Sequence, residues 1–336
     1  MSITWGEIAS QPAAWRRAAA LAGEVRDLLP DPGLSVCAVG CGTSLYMAQA
    51  WAALRESAGH GRTDAFAASE LPRRNGYDVL VAISRSGTTS EVLHALRHDL
   101  AKRSLTITAV PHSPVAQAAD DAIVLDFADE RSVVQTRFAT SALTLLRAHA
   151  GEDTEQAARD AEQALDAPLP VDPTVPAAAA GRASVAVSGN TQPGDRRSEG
   201  VSGDGAEARP AVPAQWTFLG RGWAVGLAHE AALKLREAAQ QWAEAYPALE
   251  YRHGPIAIAT PQTVVWSLDP IDPALAEEIS ATGATLVCEP LDSLAALVLA
   301  QRTAVALAQA KGLDPDRPRN LARSVVLEGA ALEVLS

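Results

Sequence analysis

Short apolar runs rich in branched residues alternate along the first half of the chain with stretches of helical spacing. Residues 34–40 (LSVCAVG), 77–83 (YDVLVAI), 104–110 (SLTITAV) and 121–127 (DAIVLDF) read as strands, and 64–68 (DAFAA) as a short one. Residues 44–57 predict a helix, as does the stretch after Ser90, where Val92, Leu93, Leu96 and Leu100 share one face. A further helix is predicted over 133–150 and continues through 154–165. Alternation of this kind argues for a parallel sheet covered on both faces. The pattern breaks at 167–214, which is Pro-rich and then rich in Gly, Ser and charge. Such a stretch has little to bury, so it is expected to be a mobile, dispensable linker. The pattern restarts with a strand at 215–220, a long helix at 223–246, strands at 262–268 and 284–290, and a helix at 293–311 closed by Gly312. The expected division is 1–166, a first domain with an N-terminal helix; 167–214, the linker; and 215–336, a second domain with a tail. Both halves open with a strand, a Gly-containing turn (Gly40-Cys41-Gly42 and Gly220-Arg221-Gly222) and a helix, which hints at duplication.

Three turns or faces carry candidate chemistry. The strand at 77–83 runs into Ser84-Arg85-Ser86-Gly87-Thr88-Thr89-Ser90. One or two hydroxyls serve a helix cap. Five, with a glycine that lets the backbone come close, suit an anion at a helix N-terminus. No P-loop signature is present. The turn Gly40-Cys41-Gly42-Thr43-Ser44 reads G-x-G-x-x-L and does not complete the dinucleotide fingerprint; it is either an ordinary capped turn or a second wall of a ligand crevice. On the 223–246 helix, Glu230, Lys234 and Glu237 fall on one side. Such stripes are usually solvated salt bridges. The flanking AALKL is apolar, however, and His253 follows in the helix-breaking sequence RHGP. A carboxylate, an amine and an imidazole together are what proton shuttling requires. On the residues alone both readings stand.

Composition narrows the classes. The formal net charge of −12 argues against nucleic acid and against anionic membranes as partners, while leaving room for a phosphorylated small molecule in a local pocket. Three cysteines without a Cys-x-x-Cys fit a reducing, cytoplasmic setting. The first residues lack the apolar core of a signal peptide. The best membrane-span candidate, 291–310, is interrupted by Asp292 and Arg302. No metal-ligand spacing is seen, and neither a metal nor a cofactor is expected.

Several segments carry a resemblance. CGTS (41–44), SRSGTTSE (84–91), GRGWAVGLAHEAALKLRE (220–237), AEAYPALEYRHGPIA (243–257) and RPRNLARSVVLE (317–328) are similar to the sugar-isomerase (SIS) domain family, and EIASQP (7–12) is similar to its opening segment. The match is with the double-domain isomerase part of glutamine–fructose-6-phosphate aminotransferase and with stand-alone aminosugar-phosphate deaminases and fructosamine-phosphate deglycases. The resemblance implies an α/β fold of two tandem SIS domains, each a parallel sheet flanked by helices in a flavodoxin-like three-layer sandwich. It implies phosphate binding at Ser84, Arg85, Ser86 and Thr89, and substrate contacts at Thr43, Ser44, Gln135, Glu230 and Arg323. Glu237 corresponds to the glutamate that moves a proton between C1 and C2, Lys234 to its electrostatic support, and His253 to the ring-opening histidine supplied by a neighbouring subunit, so a homodimer is implied. A buried Glu237 with a raised pKa would suit that role.

Departures from the family pattern matter equally. No glutamine-hydrolysing domain is present in this sequence, so glutamine-dependent synthesis is not expected. Arg323 replaces a Schiff-base lysine and cannot form that imine. Arg85 replaces a glutamine, and Gln135 a serine that contacts the sugar. The expected activity is aminosugar-6-phosphate deamination with isomerisation, giving a ketose phosphate and ammonia. An aldose–ketose isomerase, a deglycase and a non-catalytic phosphosugar sensor are the alternatives.

Overall fold

The computed structural model describes residues 2–72, 76–171 and 213–327. The chain opens with two helices, α1 (Ile3–Ala9) and α2 (Gln11–Glu24), and then enters a β/α alternation. The order is β1 (Val36–Gly40), α3 (Thr43–Ser57), β2 (Thr63–Ala67), β3 (Tyr77–Ser84), α4 (Ser90–Arg97), β4 (Ala101–Thr108), α5 (Pro114–Ala118) and β5 (Asp121–Val124), closed by α6 (Arg137–His149) and α7 (Thr154–Asp166). The second half runs β6 (Gln215–Gly220), α8 (Ala224–Ala239), β7 (Trp242–Pro247), β8 (Thr263–Ser267), α9 (Pro273–Ala281), β9 (Thr285–Cys288) and α10 (Ser293–Ala310). Among the described residues all strand pairings are parallel, in two sheets of order β2-β1-β3-β4-β5 and β7-β6-β8-β9.

Residues alternate between the faces of each sheet, as the strand period requires. Val36, Ala38, Val79 and Val81 turn to one side of the first sheet, and Trp216, Phe218, Val264 and Trp266 to one side of the second; these join a single hydrophobic cluster with α3, α6, α8 and α10. Cys37, Val39, Leu80 and Ala82 pack on the opposite face, where Val92 and Ala95 of α4 cover them. Leu219, Val265 and Leu286 are covered by Leu275 and Ile279 of α9. Both sheets are therefore sandwiched by helices, and the helices between them belong to one shared core. The mostly apolar α10 is long and hydrophobic enough to cross a membrane, yet 72% of it is buried inside the protein, as befits the central helix of that core.

Two expectations fail for identifiable reasons. The helix over 133–150 does not continue into 154–165. Gly151 takes φ +85°, and the Asp153 side chain caps a new helix by accepting from the backbone N–H groups of Glu155 and Gln156. The helix expected to run to 246 stops at Ala239, where Gln240 turns left-handed at φ +51°. Residues 242–247 then pair with β6, Ala245 opposite Phe218. Their alternating Trp-Ala-Glu-Ala-Tyr suits a strand once a neighbour is present, and sheet pairing overrides helix propensity. Helices α5 and α9 are short and were not evident from periodicity. The linker expected at 167–214 lies outside the described residues apart from 167–171 and 213–214.

Candidate active site

In the first sheet the chain leaves β1 toward β2 on one side and reaches β3 on the other, so the carboxyl ends of β1 and β3 form the switch point where ligands bind in open parallel sheets. Both candidate turns stand there. Thr43 and Ser44, both buried, begin α3 directly after β1, and residues 84–90 link β3 to α4.

The second half contributes a helix to this place. A Cβ at Gly226 would stand 2.5 Å from the Tyr46 carbonyl oxygen, so only glycine lets α8 lie this close to α3. The helices run in opposite senses, and Lys234, two turns beyond Gly226, reaches the start of α3. Its Nζ donates to Thr43 Oγ1 at 3.0 Å and to Glu237 Oε2 at 2.5 Å, and stands 3.4 Å from Glu230 Oε1. The stripe read from the sequence is thus not solvated. Glu230 and Lys234 are each 1% exposed, while the Glu237 side chain retains 18% exposure. Burial would discharge Lys234, but the carboxyls packed round it, Glu237 bonded to it among them, outweigh burial and hold the ammonium charged. The carboxyl that burial raises is Glu230, pushed up to about 8, with Lys234 opposing and Glu237 adding to the rise. The fully enclosed carboxyl anticipated at Glu237 therefore lies two turns earlier on the same helix, because Glu237 is near the open end of the row.

The 84–90 turn is built around Gly87, at φ +64°, where a Cβ would fall 2.0 Å from Ser113 Oγ. Its hydroxyls are not spent on capping α4: Thr89 occupies the cap position without a side-chain cap bond. Ser84 Oγ is buried with no hydrogen-bond partner. Ser86 Oγ and Thr88 Oγ1 stand 3.1 Å apart, and both meet Ser324 of the C-terminal tail, whose Oγ lies 3.1 Å from the first and 2.9 Å from the second. The tail is also tied to this turn through Ser90, whose N–H donates to the Val325 carbonyl and whose Oγ accepts from Leu327 N–H.

Arg85 has a different duty from the one expected. It is buried, and its Nη groups donate to the backbone carbonyls of Ser132 and Arg323, each at 2.8 Å. Burial pulls its pKa down while Glu130 opposes. The side chain therefore pins three segments together: the turn, the 130–137 stretch and the tail. Arg323 is exposed and pairs with both oxygens of Asp129 at 2.7 and 2.9 Å. Gln135 is half-buried, and its Oε1 is enclosed without a partner. His253 is exposed at the end of the 3-10 turn Ala248–His253, and no hydrogen bond of Lys234 or Glu237 reaches it within the chain.

Several residues that shape the site were missed by sequence reasoning. Glu130 is buried and accepts from the N–H groups of Thr136 and Arg137 and from the Thr136 hydroxyl, fixing the start of α6. Glu7 of α1 accepts from Arg131 N–H, and Thr4 Oγ1 lies 2.7 Å from Ser132 Oγ. These contacts give the opening EIASQP segment a physical purpose, which is to hold the stretch that Arg85 grips. Ser324 lies within the RPRNLARSVVLE segment. No spacing rule links it to Thr88, 236 positions away.

With this geometry established, comparison with known proteins identifies the scaffold. Residues 33–150 match the SIS domain family. The chain carries a SIS domain over these residues. It is 31% identical to a glutamine–fructose-6-phosphate aminotransferase (isomerizing) from Aeropyrum pernix, in an alignment covering 98% of the chain and 55% of that relative. The chain spans about half the length of the curated relatives it matches. Among solved structures, a glucosamine-6-phosphate deaminase from Thermotoga maritima superposes with a TM-score of 0.74 at 25% identity, covering 97% of this chain and 100% of the other. The C-terminal domain of a glucosamine-fructose-6-phosphate aminotransferase from Francisella tularensis gives 0.73 at 20% identity, covering 95% and 98%. At that identity the likeness speaks for the SIS fold alone.

Proposed function

We propose that this SIS-domain protein is an enzyme of phosphosugar metabolism, and specifically an aminosugar-6-phosphate deaminase/isomerase acting on glucosamine 6-phosphate or a close analogue. The observation that carries this reading is the Glu237–Lys234–Thr43 chain of hydrogen bonds, which sets a partly open carboxyl and a buried cation at the end of β1, the strand next to the one that leads into the hydroxyl-rich turn. The likeness to the Thermotoga maritima deaminase supports the same reading.

In this scheme Ser84, Ser86 and Thr89 hold the phosphate with the N-terminus of α4, which fixes C1 and C2 of the sugar and supplies binding energy remote from the reacting atoms. His253, brought by a second copy in a homodimer, opens the ring. Glu237 takes the proton from C2 and returns it to C1, leaving an imine at C2 that water hydrolyses to the ketose phosphate and ammonia. Lys234 orients Glu237 and offsets the negative charge that develops on the enolamine. Arg323 does not form an imine; paired with Asp129, it fixes the tail. The two sheets are read as a duplicated SIS unit in which the first receives the phosphate and the second lends its helix. The charge and the cysteine content favour a cytoplasmic setting.

The test is incubation of the pure protein with glucosamine 6-phosphate while ammonia and fructose 6-phosphate are followed together. Equal release of both is expected. Interconversion of glucose 6-phosphate and fructose 6-phosphate, with no ammonia released from glucosamine 6-phosphate, would replace this reading by an aldose–ketose isomerase. If neither forms, the melting-temperature shift across phosphosugars finds the ligand, and that ligand is either another substrate, if it is turned over, or the signal of a sensor, if it is not.

A further inference from the structure

Glu230 was expected to contact substrate, yet its surroundings suit another task. It is 1% exposed, and its carboxyl is held by long contacts, the 3.4 Å ion pair to Lys234 and the Thr43 hydroxyl. The cation in reach, Lys234 at 3.4 Å, already donates to Thr43 and to Glu237. Among the described residues, the elements packed on α8 bring no further positive charge to Glu230. Helix α3 faces Glu230 with the Thr43 hydroxyl, and its own Arg55 and Glu56 lie at the far end. Strand β6 carries no charged residue, and Glu244 of β7 is bonded to Gln215, Thr217 and Tyr246. In α10 the charged residue is Arg302, which donates to the carbonyls of Ala164 and Ala167. Glu130, before α6, adds negative field at Lys234. One ammonium thus stands among several carboxyls, and while it is bonded to Glu237 it leaves the sealed Glu230 with the weaker contact.

We propose that Glu230 is held as a neutral carboxylic acid and acts as a positioning residue, its protonation deciding which carboxyl owns Lys234. The proposal rests on the reading of Glu237 and Lys234 as the proton-transfer pair. While Glu230 keeps its proton, Lys234 stays with Glu237 and Thr43. When Glu230 loses it to solvent on the alkaline side, the new anion draws the ammonium away, and Glu237 loses its orientation. Burial as the leading cause, with the change falling near 8, agrees with this order of events.

The linkage has a definite sign. The folded state holds this proton more tightly than the unfolded chain, so the contribution of Glu230 is fully present below about 4.5 and is lost as pH rises toward about 8.

The deciding measurement is infrared difference spectroscopy of the wild-type protein against Glu230→Gln at neutral pH. A carbonyl band of a protonated carboxyl is expected in the wild type, absent from the variant and bleached as pH passes about 8. Its absence from the wild type at neutral pH would overturn the proposal whether or not any sugar is turned over. If the variant does not fold, the same titration is followed in the wild type by carbon-13 NMR with carboxyl-labelled glutamate; no glutamate titrating above neutrality would overturn it equally. With turnover in hand, kcat/KM of the wild type should fall about tenfold per pH unit above that point, while Glu230→Gln stays flat there. A band without turnover on any phosphosugar would uphold the state of Glu230 and remove the proposed function instead.

Discussion

The two sheets have the same strand order around their switch points, β2-β1-β3-β4 and β7-β6-β8-β9, but the turns that leave the equivalent strands differ. After β3 comes Ser84-Arg85-Ser86-Gly87-Thr88-Thr89, where Ser84 Oγ has no partner and Thr89 makes no cap bond. After β8 comes Leu268-Asp269-Pro270-Ile271-Asp272. There Ser267 Oγ is spent on the Asp269 carbonyl at 2.7 Å, and Asp272 caps α9 through Leu275 N–H while pairing with Arg252. Burial pushes Asp269 upward against the pull of Arg221. The topology thus offers a crevice twice, and the turn residues decide its character. One turn suits an anion; the other is acidic and internally satisfied. The second half contributes instead through α8, which crosses to the first crevice.

The largest effect expected from breaking this division is at Glu237. Glu237→Gln should lower kcat by about 10²–10⁴-fold while the melting-temperature shift induced by phosphosugar survives; full activity would remove Glu237 from the mechanism. Next comes Gly87→Ala, which forces a left-handed alanine against Ser113, the cap of α5. A stability loss of about 1–3 kcal/mol is expected in denaturant titration, with the phosphosugar shift much reduced. Ser324→Ala should free the Ser86 and Thr88 hydroxyls, so that inorganic phosphate binds about fivefold more tightly by calorimetry, the worth of roughly one hydrogen bond. Weaker binding would instead make Ser324 part of the anion site. The smallest effect is at the second turn. Asp269→Asn should leave phosphosugar affinity within about twofold, since that turn is read as taking no anion; a large loss would show that both crevices serve the ligand.

The strands at 36–40, 77–84, 101–108 and 215–220 were legible because buried β-segments are short apolar runs between breakers, a local signal. The stripe of Glu230, Lys234 and Glu237 was legible as a face, because helical spacing is local too. Whether that face was solvated was not legible. It depends on Gly226 admitting α3, a contact between residues more than 170 positions apart. The stretch 242–247 was misread because its strand state exists only against β6.

The sequence by itself determined the α/β alternation, the hydroxyl-rich turn and the row of ionisable groups, since each is written in neighbouring residues. Only the tertiary structure decided that Lys234 bonds to Thr43, that Arg85 grips backbone at Ser132 and Arg323, and that Ser324 rests on Ser86 and Thr88. It also decided that Glu230, not Glu237, is the sealed carboxyl. Burial and pairing are set by what the rest of the chain brings alongside, and for charged groups they outweigh any local preference.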